Sequence, residues 1–144
     1  MTTRAAIIAE AREWIGTRWQ HQAALKGVAC DCIGLIAGTA RNCGVREATA
    51  FLADIRFRSY GRQPEQEMLR LALAEYLDPV SSPRAGDVAF MLVPRSVVPQ
   101  HFGILSAPDY MIHAYAQARK VVEHRLDEAW RARIVSYHAF RGLS

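Results

Sequence analysis

The sequence predicts an α+β domain, with helices from the first half packed on an antiparallel sheet of about five strands built from residues 86–140. Helical spacing of apolar residues, with capping residues at the ends, is confined to the first half. Beyond Gly86 the pattern changes to short apolar runs bounded by Gly, Pro and Asp. Helices followed by strands, rather than alternating with them, argue for segregated layers over a parallel α/β sheet. At 144 residues, with 51% hydrophobic and 22% charged residues, the chain fits one globular domain spanning 1–144.

Each element has its own signal. In residues 3–15, Ala6, Ile7, Ala9 or Glu10, and Trp14 fall near helical spacing, with Thr2 or Thr3 as cap and Gly16 as stop. Residues 17–29 read as a polar loop. A second helix runs over about 32–43, with Asp31 as N-cap and Gly44 at the left-handed position beyond its end. Residues 46–61 form an irregular connection. Pro64 then opens a helix reaching about Tyr76, with Glu65 and Glu67 in its first turn and Met68, Leu69, Leu71 and Leu73 as core or interface. Residues 78–83 read as a linker and 84–87 as a turn. Strands follow at 88–93, 101–106, 110–115, 121–124 and 134–140, the second and third joined through Ala107-Pro108-Asp109.

The chemistry centres on Cys32. A thiol at the first position of a helix sits at the positive end of the helix dipole, which favours thiolate, although the neighbouring Asp31 charge opposes this. Two histidines, His101 and His113, lie in the following strands. As cross-strand neighbours they would have Cβ atoms ~5 Å apart, close enough for one ring to orient the other. A nucleophilic thiol, a basic imidazole and an orienting imidazole form a Cys–His–His arrangement. The Cys32 backbone N–H is an oxyanion donor, with the loop around Trp19 as a second source. His21 lies near the cysteine in sequence, but a loop histidine is usually solvated. His124 and His138 read as strand-surface residues, and Cys30 and Cys43 as packing, with Cys30 a weaker candidate for pairing with Cys32 under oxidation.

Several classes are disfavoured. Three cysteines give an odd count and no disulfide framework. A zinc site from His21, Cys30, Cys32 and Cys43 fails because the helix separates the last two by about 16 Å. No metal or cofactor is expected. The net charge of +4 is scattered between acids rather than concentrated, unlike a nucleic-acid footprint. No run of 18 apolar residues spans a membrane. The N-terminus lacks a secretory h-region, so synthesis in the cytoplasm without a signal peptide is expected.

Asp31-Cys32-Ile33-Gly34-Leu35 resembles the Asp-Cys-Ser-Gly-Leu motif of the NlpC/P60 cysteine peptidases. Four more blocks follow the family order: Trp14-Ile15-Gly16-Thr17, Ala85-Gly86-Asp87-Val88, His101-Phe102-Gly103-Ile104 and Met111-Ile112-His113-Ala114. The segment from His21 to Gly27, before the cysteine motif, is similar to that of tail-tip peptidases of siphophages and gene transfer agents. The resemblance implies a papain-like NlpC/P60 fold, with Cys32 as nucleophile, His101 as base and His113 as orienting residue. It also implies hydrolysis of a peptidoglycan stem peptide, typically between D-glutamate and a diamino acid. Trp19 stands near a family tyrosine that lines the site, and Trp19, His21 and Asp31 become substrate-binding or oxyanion candidates. The implied partners are tail-tip or baseplate proteins of a phage-like particle, which would carry the enzyme to the periplasm and cell wall. Two alternatives stand beside this reading: a structural tail component with a vestigial site, and an amidase or acyltransferase on the same fold.

Overall fold

The Thr3 hydroxyl accepts from the Ala6 N–H at 3.0 Å and starts α1 (Arg4–Glu13), as the sequence suggests. In the computed structural model, which describes residues 2–54, 71–93 and 100–144, a second capped helix, α2 (Cys32–Asn42), runs through the centre. Its residues from Cys32 to Ala40 are all buried, so α2 is a core helix rather than an amphipathic surface one. Small residues let its neighbours approach. A Cβ at Gly38 would lie 2.5 Å from the Trp14 ring, and a Cβ at Gly34 would collide with the Ala23 carbonyl. A short helix, α3 (Ala48–Ala53), buries Phe51 against Tyr76, with ring centroids 5.5 Å apart.

Among the described residues the sheet has nine strands rather than about five. They are β1 (Arg18–Trp19), β2 (Ala24–Leu25), β3 (Ala29–Cys30), β4 (Leu77–Val80), β5 (Val88–Leu92), β6 (Gln100–Ala107), β7 (Tyr110–Tyr115), β8 (Lys120–Arg125) and β9 (Ile134–Phe140). Their order is β2-β3-β1-β8-β7-β6-β5-β9-β4. The five expected strands are the long ones, β5 to β9. The additions have physical reasons for escaping notice. β1, β2 and β3 have two residues each, too few for alternation to register, and they turn the expected 17–29 loop into paired backbone. β1 and β3 run parallel, so the sheet is mixed rather than wholly antiparallel. β4 overlaps the expected linker and contains Pro79, which an edge strand tolerates.

The sheet buries both faces. On one, α1 and α2 pack against Phe90, Phe102, Ile104 and Ile112. On the other, Met91, Leu105, Met111 and Leu126 form a second cluster under Trp130, Ile134 and Tyr137. Trp130 comes from a single-turn helix, α4 (Glu128–Arg131), capped by Asp127, which the sequence reading did not foresee. The expected 84–87 turn fastens the helices to the sheet. Asp87, buried, takes Arg4 Nη1 at 2.6 Å on one oxygen and the Arg84 N–H at 2.7 Å on the other. Of the helix expected from Pro64, residues 64–70 lie outside the described residues, as do 55–61 of the irregular connection. Residues 71–73 are helical, with Leu73 buried but Leu71 63% exposed, so Leu71 is not core.

Candidate active site

Asp31 assembles the entrance to α2. Its Oδ1 accepts from the Gly34 N–H and its Oδ2 from the Gln22 N–H, both at 2.7 Å, while its own N–H donates to Ala23. One buried carboxylate thus caps the helix and ties down the 20–23 loop, possible only because Gly34 leaves room for Ala23. Asp31 is a structural clamp, with its oxygens turned to backbone donors.

The clamp delivers Cys32 to the wall of a narrow pocket lined also by Trp19, Val93, His101, Ala114, Tyr115, Ala116 and Gln117. Cys32 and His101 are 2% and 4% exposed. Cys32 and His101 therefore line one desolvated pocket, together with Trp19. His21 is exposed in the turn after β1 and does not line this pocket. Cys30 is fully buried, and burial with the Asp31 charge pushes its thiol up to about 12, as befits an inert packing residue. Cys43 donates to the Ala6 carbonyl at 3.6 Å.

His101 Nε2 lies 2.6 Å from His113 Nδ1. The two are not directly opposite: the register Ile104↔Ile112 brings Gly103, not His101, level with His113, so the rings meet on the diagonal. Burial holds both imidazoles neutral. It pushes His101 down to about 3, with the nearby His124 contributing, and His113 well below the ordinary range, with His101 and then His124 contributing.

The contacts do not stop there. His113 Nε2 lies 2.7 Å from His124 Nε2, and His124 Nδ1 lies 2.8 Å from the Arg125 carbonyl. The expectation that His124 is a strand-surface residue is therefore corrected. The register Met111↔His124 sets it diagonal to His113, on the same side of the sheet. Three imidazoles thus step across β6, β7 and β8. The signal was present in the sequence: counting outward from the 116–119 turn between the two strands gives this register. Trp130 and Tyr115 wall the row, with ring centroids 5.0 and 5.1 Å from that of His113, and Arg133 stacks on Trp130 at 4.7 Å. His138, expected on the surface, is buried in β9 and contacts Ser136 at 2.8 Å. Because the imidazole nitrogens face one another, their lone pairs do not converge. Among the described residues no group of three or more His, Cys, Asp or Glu side chains is arranged to hold a metal ion.

This arrangement of helices on a mixed sheet has counterparts among solved structures. The NlpC/P60 domain of the peptidoglycan hydrolase SagA superposes with a TM-score of 0.62 at 24% identity, over 96% of this chain and 100% of that one. The chain has the NlpC/P60 fold. An NLP/P60-family protein of Staphylococcus aureus, described as similar to a lipoprotein, superposes at 0.63 and 17% identity over 95% of this chain. The present chain spans only 41% of that protein's length. RipB, a peptidoglycan hydrolase of Mycobacterium tuberculosis, gives 0.53 at 18% identity, covering 98% of this chain and 65% of that one. No protein-family model matches the sequence, and no curated protein does either. Within this fold the first residue of α2, Cys32, and the second residue of β6, His101, line one pocket.

Proposed function

We propose that the chain is a cysteine peptidase that hydrolyses an amide bond in peptidoglycan stem peptides. The observation that carries this reading is the shared pocket of Cys32 and His101, with His113 hydrogen-bonded behind the base. Support also comes from the peptidoglycan hydrolases SagA and RipB, which have the same fold. In the reaction, His101 removes the thiol proton and Cys32 attacks the carbonyl carbon. The oxyanion forms beside the first turn of α2, where the Cys32 N–H and the helix dipole stabilise it. His101 returns the proton to the leaving amine, and water then hydrolyses the thioester. His113 keeps the His101 ring oriented throughout.

In the finer reading, the bond joins D-glutamate to a diamino acid, and the enzyme works in a phage-like tail that carries it to the cell wall. Tail-tip or baseplate proteins are then its partners. The motif blocks and the His21–Gly27 segment support this reading. Incubating purified protein with muropeptides, beside a Cys32→Ala variant, tests it. Cleavage by the wild type alone supports the peptidase, and fragment masses name the bond. Absence of cleavage by either favours a structural component with a vestigial site.

A further inference from the structure

We propose that His101, His113 and His124 form a three-imidazole proton relay, in which the proton taken from the Cys32 thiol is held at His124, the outer end, during attack. The inference rests on the cysteine-peptidase reading and adds to it a role for His124.

The direction of the relay is set by a group that cannot donate. The Arg125 carbonyl is 2.8 Å from His124 Nδ1, so that nitrogen carries a hydrogen. In a neutral ring Nε2 then has the lone pair, and its 2.7 Å contact requires the hydrogen to be on His113 Nε2. His113 Nδ1 in turn accepts from His101 Nε2–H at 2.6 Å. One nitrogen of the base is left with its lone pair uncommitted by the row, His101 Nδ1, and in the relay it is this atom that takes the proton of Cys32, which lines the same pocket. A main-chain carbonyl two rings away thereby sets the tautomer of the base.

Proton transfer runs along the same contacts. The Cys32 S–H bond breaks as a bond to His101 Nδ1 forms. His101 Nε2 passes its hydrogen to His113 Nδ1, and His113 Nε2 passes its own to His124 Nε2. Three hydrogens move, leaving a thiolate, two neutral inner rings and one imidazolium at His124. The reverse sequence delivers a proton to the leaving amine, so no co-reactant is needed.

Burial explains why the charge moves outward. His101 and His113 are 4% and 0% exposed, where an imidazolium is strongly disfavoured, whereas His124 is only part-buried. Facing His124 are His113 and Met111 from β7, Trp130 from α4 and the Arg125 carbonyl of its own strand. Arg133, stacked on Trp130, is the charged side chain on that aromatic wall. An extra proton from solvent brings the row to the same end state: taken up at His101 Nδ1, it shifts the hydrogens of His101 and His113 to Nδ1, leaves His124 with hydrogen on both nitrogens and disables the base.

Two measurements on the full-length chain test the relay without any peptidoglycan. Imidazole ¹⁵N–¹H correlation spectra at neutral pH are expected to show hydrogen on Nε2 of His101, Nε2 of His113 and Nδ1 of His124. Acidification should move the first two to Nδ1. The rate at which iodoacetamide alkylates Cys32, mapped by mass spectrometry, is then followed against pH. In His124→Gln the amide carbonyl still accepts from His113 but cannot take a proton. The inner tautomers should persist while alkylation at neutral pH slows about tenfold, a modest share of what proton transfer contributes. The acid limb should move at least one pH unit lower. Opposite tautomers in the wild type, or wild-type alkylation rate and pH limb in His124→Gln, would overturn the relay. If that variant does not fold, the wild-type tautomers and their inversion in acid decide alone. Relay behaviour without muropeptide cleavage counts against the substrate reading, and cleavage without relay behaviour counts against the relay.

Discussion

Cys32 and His101 are both almost wholly buried, and that burial shapes how they can react. A buried thiol–imidazole pair gains from any group that orients the base without adding a second buried charge, which is what a neutral His113 supplies. Replacing Cys32 with Ala is expected to abolish cleavage. His101→Gln should lower kcat by about 10³-fold with little change in KM, since it removes proton transfer but not substrate contacts. Steady-state kinetics on a stem peptide check both. That these two residues would lie together was legible in the sequence, because a cysteine at a capped helix start and a histidine in an apolar strand each carry a local mark. His124 was missed because an isolated histidine in a polar strand carries no such mark. Only the register of β7 against β8 gives it a partner.

At the scale of elements, the approach of the 20–23 loop to α2 decides whether the thiol is presented at all. Asp31→Ala removes the acceptor for two backbone N–H groups in a buried setting, and should cost about 2–3 kcal/mol in urea unfolding. Gly34→Ala sets a methyl group against the rigid Ala23 carbonyl rather than a movable side chain, so the loop must shift. The expected outcome is loss of activity greater than the loss of stability, read by comparing kcat/KM with the urea midpoint. Helices and long strands were legible from caps and periodicity: Thr3, Asp31 and Gly44 stand at the ends expected of them. The two-residue strands β1 to β3 were not, because their pairing is a tertiary matter that so short a stretch cannot encode. α4 escaped for a related reason, being one turn held by the Asp127 cap.

For the whole molecule, the helical and sheet layers are joined at Arg4 and Asp87, remote in sequence and 2.6 Å apart. Removing Arg4 leaves a buried carboxylate with less compensation, and Arg4→Ala should cost roughly 2–3 kcal/mol, below the range for a fully buried pair because Arg4 is partly exposed. The buried histidines make stability depend on pH. Their folded-state pKa values are depressed, His101 to about 3, so below the ordinary imidazole range the unfolded chain binds more protons. This stabilisation is complete above about pH 6.5 and is lost as pH falls toward 3, at up to about 1.4 kcal/mol per pH unit for each histidine. Urea unfolding at pH 7 and pH 5 checks the sign. The α+β class was legible as a change in periodicity along the chain, whereas the sheet order, which brings β1 beside β8, arises only from long-range pairing.

Trapping the covalent intermediate tests the central claim most directly. A stem peptide is mixed with the protein, the reaction is quenched in acid within the first turnover, and the digest is examined by mass spectrometry. The expected result is an acyl fragment carried by the peptide containing Cys32, absent from Cys32→Ala. Undiminished cleavage by that variant, with no adduct on the wild type, would contradict the account.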